Sequence, residues 1–201
     1  MTTEELEQQL DSFDGAQRRT ALVSLLEKVK TGEIVLPEAG RFVNLHCHTF
    51  YSYNAYGYSP SKFAWLARRA GLAVVGTTDF DVLDALDEFR EACRLLDLKG
   101  CSGLETRVYV PEFATRVINS PGEPGISYHM GVGFPNAQVP PAQREFLKNL
   151  KQTAQQRNRD LMERVNRYLS PVELDYESDV LTLTPAGNAT ERHMCVAYAR
   201  K

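Results

Sequence analysis

Ala73-Val74-Val75-Gly76-Thr77-Thr78-Asp79-Phe80-Asp81 is an apolar, β-branched run that stops at two carboxylates, with a helical pattern directly behind it. It reads as a short buried strand. Upstream, Phe42-Val43-Asn44-Leu45 begins a second strand that runs into His46-Cys47-His48. Between the two, Ser59-Pro60 predicts a helix start: serine caps free amides, and proline suits the first turn. Phe63, Leu66, Ala67 and Ala70 supply its apolar stripe and Gly71 its exit. Downstream, a helix is predicted from about Val82 to Leu98, with Leu86, Phe89, Cys93 and Leu96 on one side. Cys101 to Val110 then reads as a third strand. The order strand, helix, strand, helix, strand predicts an α/β protein with a parallel sheet covered by helices. The sheet is either curled into a barrel or open and doubly wound. In both, chemistry sits at the carboxyl ends of the strands.

Residues able to do chemistry recur at those ends. In an extended segment residues i and i+2 leave on the same face, so His46 and His48 can point at one spot, with Cys47 facing away. Glu105 lies within the third strand, and His129 in a fourth short strand, Ile126 to Val132. His46, His48, Glu105 and His129 form a nitrogen and oxygen donor set suited to zinc, manganese or iron. Taken singly, Glu105 also reads as a solvated residue at a strand edge and the histidines as satisfied polar groups. Their recurrence along consecutive strands favours one convergent site. Asp79 and Asp81 are the candidate catalytic carboxylates, Asp79 also being placed to hold an imidazole or a water.

The flanks differ in character. A helical leader is expected from about Glu4 to Lys30, with Leu22, Leu25, Leu26 and Val29 at helical spacing. After Pro140-Pro141 a polar helix is expected from Gln143 to about Leu169, whose Gln156-Arg157-Asn158-Arg159 reads as its wet side. Three segments follow: a leader over 1–40, a β/α core over 41–139, and a mainly helical insertion or appendage over 140–201. Thr190 reads as an N-cap. Arg192 and His193 in the turn behind it either hold a phosphate or form an ordinary capped turn. Arg107 and Arg116 are further candidate phosphate contacts, because a guanidinium matches phosphate oxygens in two-pronged fashion. Apolar residues continue to Lys201, which suggests a truncated chain.

The 201 residues are 43% hydrophobic and 24% charged, which fits a folded protein. A net charge of −3 with dispersed basic residues argues against binding long nucleic acid. There is no apolar run long enough to cross a membrane and no secretory leader, so a cytoplasmic location is expected by elimination. Cys47, Cys93, Cys101 and Cys195 show no paired spacing and read as reduced thiols.

In sequence order, Asn44-Leu45-His46-Cys47-His48-Thr49, Tyr51-Ser52, Tyr58-Ser59-Pro60, Gly71-Leu72, Thr78-Asp79-Phe80-Asp81, Gly103-Leu104-Glu105 and His129 resemble the PHP (polymerase and histidinol phosphatase) superfamily. The resemblance covers roughly Arg41 to Pro135. It implies a distorted seven-stranded β/α barrel, incomplete in this chain. It also implies two or more divalent ions and a metal-activated water that hydrolyses a small phosphorylated molecule. His46, His48, Glu105 and His129 would be the ligands, with Glu105 bridging two ions. Arg192-His193 faintly resembles an Arg-Pro-His signature of the nucleotide-phosphatase branch. Two departures stand out. Phe80 replaces the histidine of the usual Thr-Asp-His-Asp motif, and Asn54 stands where the loop normally offers a ligand. The family's later histidine and final Asp-x-His pair have no counterpart before Lys201. The alternative expectation is therefore a non-catalytic metal- or phosphate-binding module with a degenerate site.

Overall fold

The computed structural model describes residues 1–201. Two helices precede the sheet, α1 (Thr3–Gln9) and α2 (Gly15–Lys30). The sequence pattern predicts one continuous helix here, but Asp14 breaks it: its backbone is extended and its carboxylate accepts from the Ala16 amide as an N-cap. Then follow β1 (Val43–Asn44), α3 (Pro60–Arg69), β2 (Val74–Phe80), α4 (Leu86–Leu95), β3 (Lys99–Tyr109), β4 (Ile126–Val132), α5 (Pro141–Leu169) and α6 (Glu191–Arg200). Ser59 and Pro60 start α3 as expected, with the Ser59 hydroxyl accepting from the Lys62 amide. Helix α4 is shorter than predicted at both ends: Asp81 is in a left-handed conformation, with turns following up to Ala85.

The sheet order is β1-β2-β3-β4. Strands β1, β2 and β3 run parallel, as the crossover helices require, while β4 returns antiparallel to β3 with Glu105 opposite Met130 and Thr106 opposite His129. The sheet is a curled, open half-barrel of four strands flanked by helical elements at both ends of the chain. Its two faces differ. Val75, on one face of β2, belongs to the main core with Trp65, Phe89, Ala92 and Cys93 of α3 and α4 and with Leu6, Leu10, Leu22 and Leu25 of α1 and α2. Phe80 and Glu105, opposite each other in register, lie on the other face. Helices thus cover the outer face and leave the inner one to the site, a half-barrel arrangement and not a doubly wound one.

The leader is part of that core. The Trp65 indole donates to Glu7, the Lys62 ammonium donates to the Glu7 carbonyl, and the Ser59 amide donates to Asp11. Arg18, 2% exposed, donates to both oxygens of Glu88, to the Ser12 carbonyl and to the Tyr51 hydroxyl. A guanidinium is tolerated in such a place only when its donors are met. At the other end of the chain Met162, Leu174, Tyr176, Val180, Ala189, Met194 and Ala197 form a separate small core between α5 and α6.

Candidate metal centre

Strand pairing of β1 ends at Asn44, so His46, Cys47 and His48 leave the sheet as an extended segment. They stay close to β2 because of Gly76: a Cβ there would come within 2.8 Å of the Leu45 carbonyl oxygen. The Thr78 amide donates to the Cys47 carbonyl at 2.9 Å and pins the segment one step further on. Both imidazoles then reach Glu105, which β3 presents from the inner face. His46 Nε2 lies 2.9 Å and His48 Nε2 3.3 Å from Glu105 Oε2. All three ligand atoms fall within 4.8 Å of one another.

This set fits a divalent ion. A tetrahedral ion with bonds of about 2.1 Å separates its ligand atoms by roughly 3.4 Å, close to the two imidazole-to-carboxylate distances. Two imidazoles and a carboxylate leave coordination room for water or substrate, as catalytic sites do and closed structural sites do not. Burial holds the His48 pKa below the usual imidazole value, outweighing the attraction of Glu105; repulsion from His46 and Arg192 acts in the same direction as burial. The neutral ring so favoured is the form that binds metals. The three residues could hold one ion, and no second cluster of this kind is present.

The other expected residues divide. His129 does not join: it pairs with Thr106, one residue out of phase with Glu105, so its side chain leaves on the opposite face, and it is exposed. The expected four-residue ligand set is therefore reduced to three, because β4 enters in this register. Asp79 is buried at 1% exposure and does not face the cavity. Its Oδ1 accepts from the Thr49 amide and the Ser52 hydroxyl, and its Oδ2 from the Thr49 hydroxyl, each at 2.7 Å. Burial raises its pKa, and those three hydrogen bonds oppose the rise. Asp79 is thus placed to position others. Asp81 does line the cavity, half-buried, accepting from the Thr106 hydroxyl at 2.6 Å with its pKa raised by burial.

His46 and His48 open onto a cavity of about 720 Å³. Arg107, Arg157 and Arg192 line its wall. Arg116 is exposed and away from the wall. His193 is buried: its Nδ1 accepts from the Thr190 amide at 3.0 Å as the third residue of a capping box, and burial lowers its pKa to about 4. Thr190 caps α6 as expected, but His193 serves the cap and not the cavity. Arg107 is paired with Glu123 and Arg157 with Glu191, which leaves Arg192, lying over the Tyr53 ring, as the cavity arginine without a carboxylate partner.

Several site residues were not evident from sequence. Arg157 looks solvent-facing along α5 yet lines the cavity, because Ala154 and Asn158 of the same helix are buried there, Asn158 against the Ala189 carbonyl of the C-terminal segment. Asn188 donates to the carbonyls of Tyr51 and Phe80, tying the C-terminal segment to the loop after His48 and to the end of β2. Cys47, expected to face away, contributes to the wall, since regular pleating has ended before it. Asn54 is no ligand: its amide donates to the His48 carbonyl and its oxygen accepts from the Tyr56 amide. Phe80 stacks on the His48 ring, centroids 4.5 Å apart.

Searches by sequence return no matching family profile and no curated protein of significant similarity. Solved structures do resemble the chain. An amidohydrolase from Chromobacterium violaceum, with bound sulfate and no metal, superposes at a TM-score of 0.62 and 17% identity over 79% of this chain and 49% of that one. A protein from Bifidobacterium adolescentis, named as a metal-dependent phosphoesterase, superposes at 0.61 and 20% identity over 82% and 51%. The chain thus spans about half the length of these structures. The likeness is one of fold, shared with proteins named as hydrolases.

Proposed function

We propose that the chain is a divergent PHP-type metal site serving hydrolysis of a small phosphoester. The observation that carries this reading is the meeting of His46, His48 and Glu105 within 4.8 Å, beside a cavity that both imidazoles and three arginines line. A divalent ion held there supplies Lewis acidity, lowering the pKa of a water and offsetting charge on phosphoryl oxygens. Arg192 attracts the phosphate, with Arg107 and Arg157 available to swing from Glu123 and Glu191 toward a doubly charged ligand. Asp81, half-buried at the cavity wall, is the group placed to carry a proton. Asp79 holds the loop that carries His48. The sulfate in the Chromobacterium violaceum protein, a tetrahedral anion of phosphate's shape, supports the choice of ligand.

A single ion is the economical form of this proposal. The second ion implied by the family resemblance would need a ligand where Phe80 stands. That same substitution favours the second reading, a phosphate- or metal-binding module without turnover, to which the internally paired Arg107 and Arg157 also lend support.

The test has two stages. Chelator-treated protein is titrated calorimetrically with zinc and with manganese, beside His46→Ala and Glu105→Ala. One ion per chain, lost in both variants, is expected; no binding by the wild type rejects the reading. Phosphate release from a panel of monoesters is then measured with the bound ion. Turnover that disappears in both variants supports the enzyme, and ion binding without turnover supports the module.

A further inference from the structure

We propose that Ser52 is a positioning residue that determines which nitrogen of His48 is presented to Glu105. The hydroxyl of Ser52 is fully buried and lies between two groups: 2.7 Å from Asp79 Oδ1 and 3.3 Å from His48 Nδ1. It has one proton to give. Asp79 Oδ1 already accepts the Thr49 amide, so this oxygen is an acceptor and the Ser52 proton goes to it. The hydroxyl can then only accept from His48, whose proton must sit on Nδ1. Nε2 is left with its lone pair, and Nε2 is the atom 3.3 Å from Glu105 Oε2 and beside His46.

The surroundings hold this arrangement in place. The Ser52 amide donates to the Thr49 carbonyl at 3.2 Å, and the Tyr51 amide to the Thr49 hydroxyl at 3.2 Å, closing a tight turn over Asp79. Arg18 holds the Tyr51 side chain and Asn188 the Tyr51 carbonyl, so the turn is fixed from both flanks of the fold. Phe80 packs on the face of the His48 ring and opposes its rotation. Such indirect partners of a metal-binding imidazole set its tautomer and basicity, and losing one costs about 10- to 100-fold in affinity.

The inference rests on the reading of His48 as a ligand through Nε2, and the experiment separates the two. Nitrogen-15 spectra of the His48 ring are recorded for metal-free protein above the imidazole pKa range, and zinc affinity is measured for wild type and Ser52→Ala. The expected wild-type ring carries its proton on Nδ1. In Ser52→Ala the ring becomes a mixture of tautomers and zinc binds about 10- to 100-fold more weakly. A wild-type proton on Nε2 overturns the proposal, and decides it even if Ser52→Ala does not fold. An unchanged tautomer and unchanged affinity in Ser52→Ala overturn it as well. Wild-type protein that shows the Nδ1 proton, loses it in Ser52→Ala, yet binds no zinc upholds the hydrogen-bond assignment and removes the metal reading alone.

Discussion

Phe80 lies flat against His48, ring centroids 4.5 Å apart at 23°, and stands opposite Glu105 in the β2-β3 register. It therefore touches one member of the ion site and neighbours another while contributing no donor atom. Replacing it by histidine puts a fourth nitrogen beside the cluster without changing the register. We expect Phe80→His to tighten zinc binding by at least about tenfold, since a further ligand completes a tetrahedral set. Calorimetric titration reads this directly; equal affinity in the two proteins would mean that residue 80 does not face the ion.

Arg192 and Arg116 make a matched pair for testing the cavity. Arg192 lines it without a carboxylate partner, and Arg116 is exposed and away from it. Arg192→Ala should weaken inorganic phosphate binding to the zinc-loaded protein by about tenfold, the loss of one charge-assisted contact. Arg116→Ala should leave it unchanged. Equal effects of the two would place the anion somewhere other than this cavity.

His193 makes stability depend on pH. Burial lowers its pKa to about 4, from 6.5 for the free side chain. Below the unfolded value the unfolded chain binds the proton more readily, so the stabilising contribution is complete above about pH 6.5 and is lost as pH falls through about 4. The loss from this residue is at most about 3 kcal/mol. His193→Gln keeps a capping-box partner for Thr190 and removes the titration. Denaturant unfolding at several pH values should show a flatter profile for the variant between 6.5 and 4; superimposable profiles would assign the acid sensitivity to other groups.

Arg18 links the leader to the site, bridging Glu88 and Tyr51 from a position 2% exposed. Arg18→Ala leaves Glu88 without its guanidinium and opens a gap under the loop that carries Ser52. A loss of about 3 to 5 kcal/mol is expected, typical of breaking a buried pair from one side. Urea unfolding checks it. A loss under about 1 kcal/mol, as for an exposed pair, would show that the leader is a detachable accessory.

Much of the fold is legible in local pattern. Ser59-Pro60, Thr190 and the apolar run at β2 locate element starts because capping and strand burial are decided within a few residues. The break at Asp14-Gly15 is missed because the apolar spacing read, Leu22 to Val29, lies wholly behind it, although Asp14 followed by glycine is itself a cap and turn signal. For the site, Glu105 is found from sequence because it sits within a strand, and His46 and His48 because their i, i+2 spacing in an extended segment brings both rings to one side. His129 illustrates the limit: it also lies on a strand, but its face depends on the antiparallel register with β3, a long-range pairing with no local signature.

Residue chemistry and local periodicity by themselves determine the parallel β1-β2-β3 unit, the helix caps and the supply of two imidazoles and a carboxylate, because these depend on neighbours a few positions away. Tertiary structure alone decides that Asp79 is a buried support and not a cavity group, that His193 serves a cap, and that Arg157 and Asn188 reach the site. Those outcomes turn on which face of the sheet the helices cover and where the C-terminal segment returns. They are set by packing between residues as far apart as Tyr51 and Asn188, beyond the reach of any local pattern.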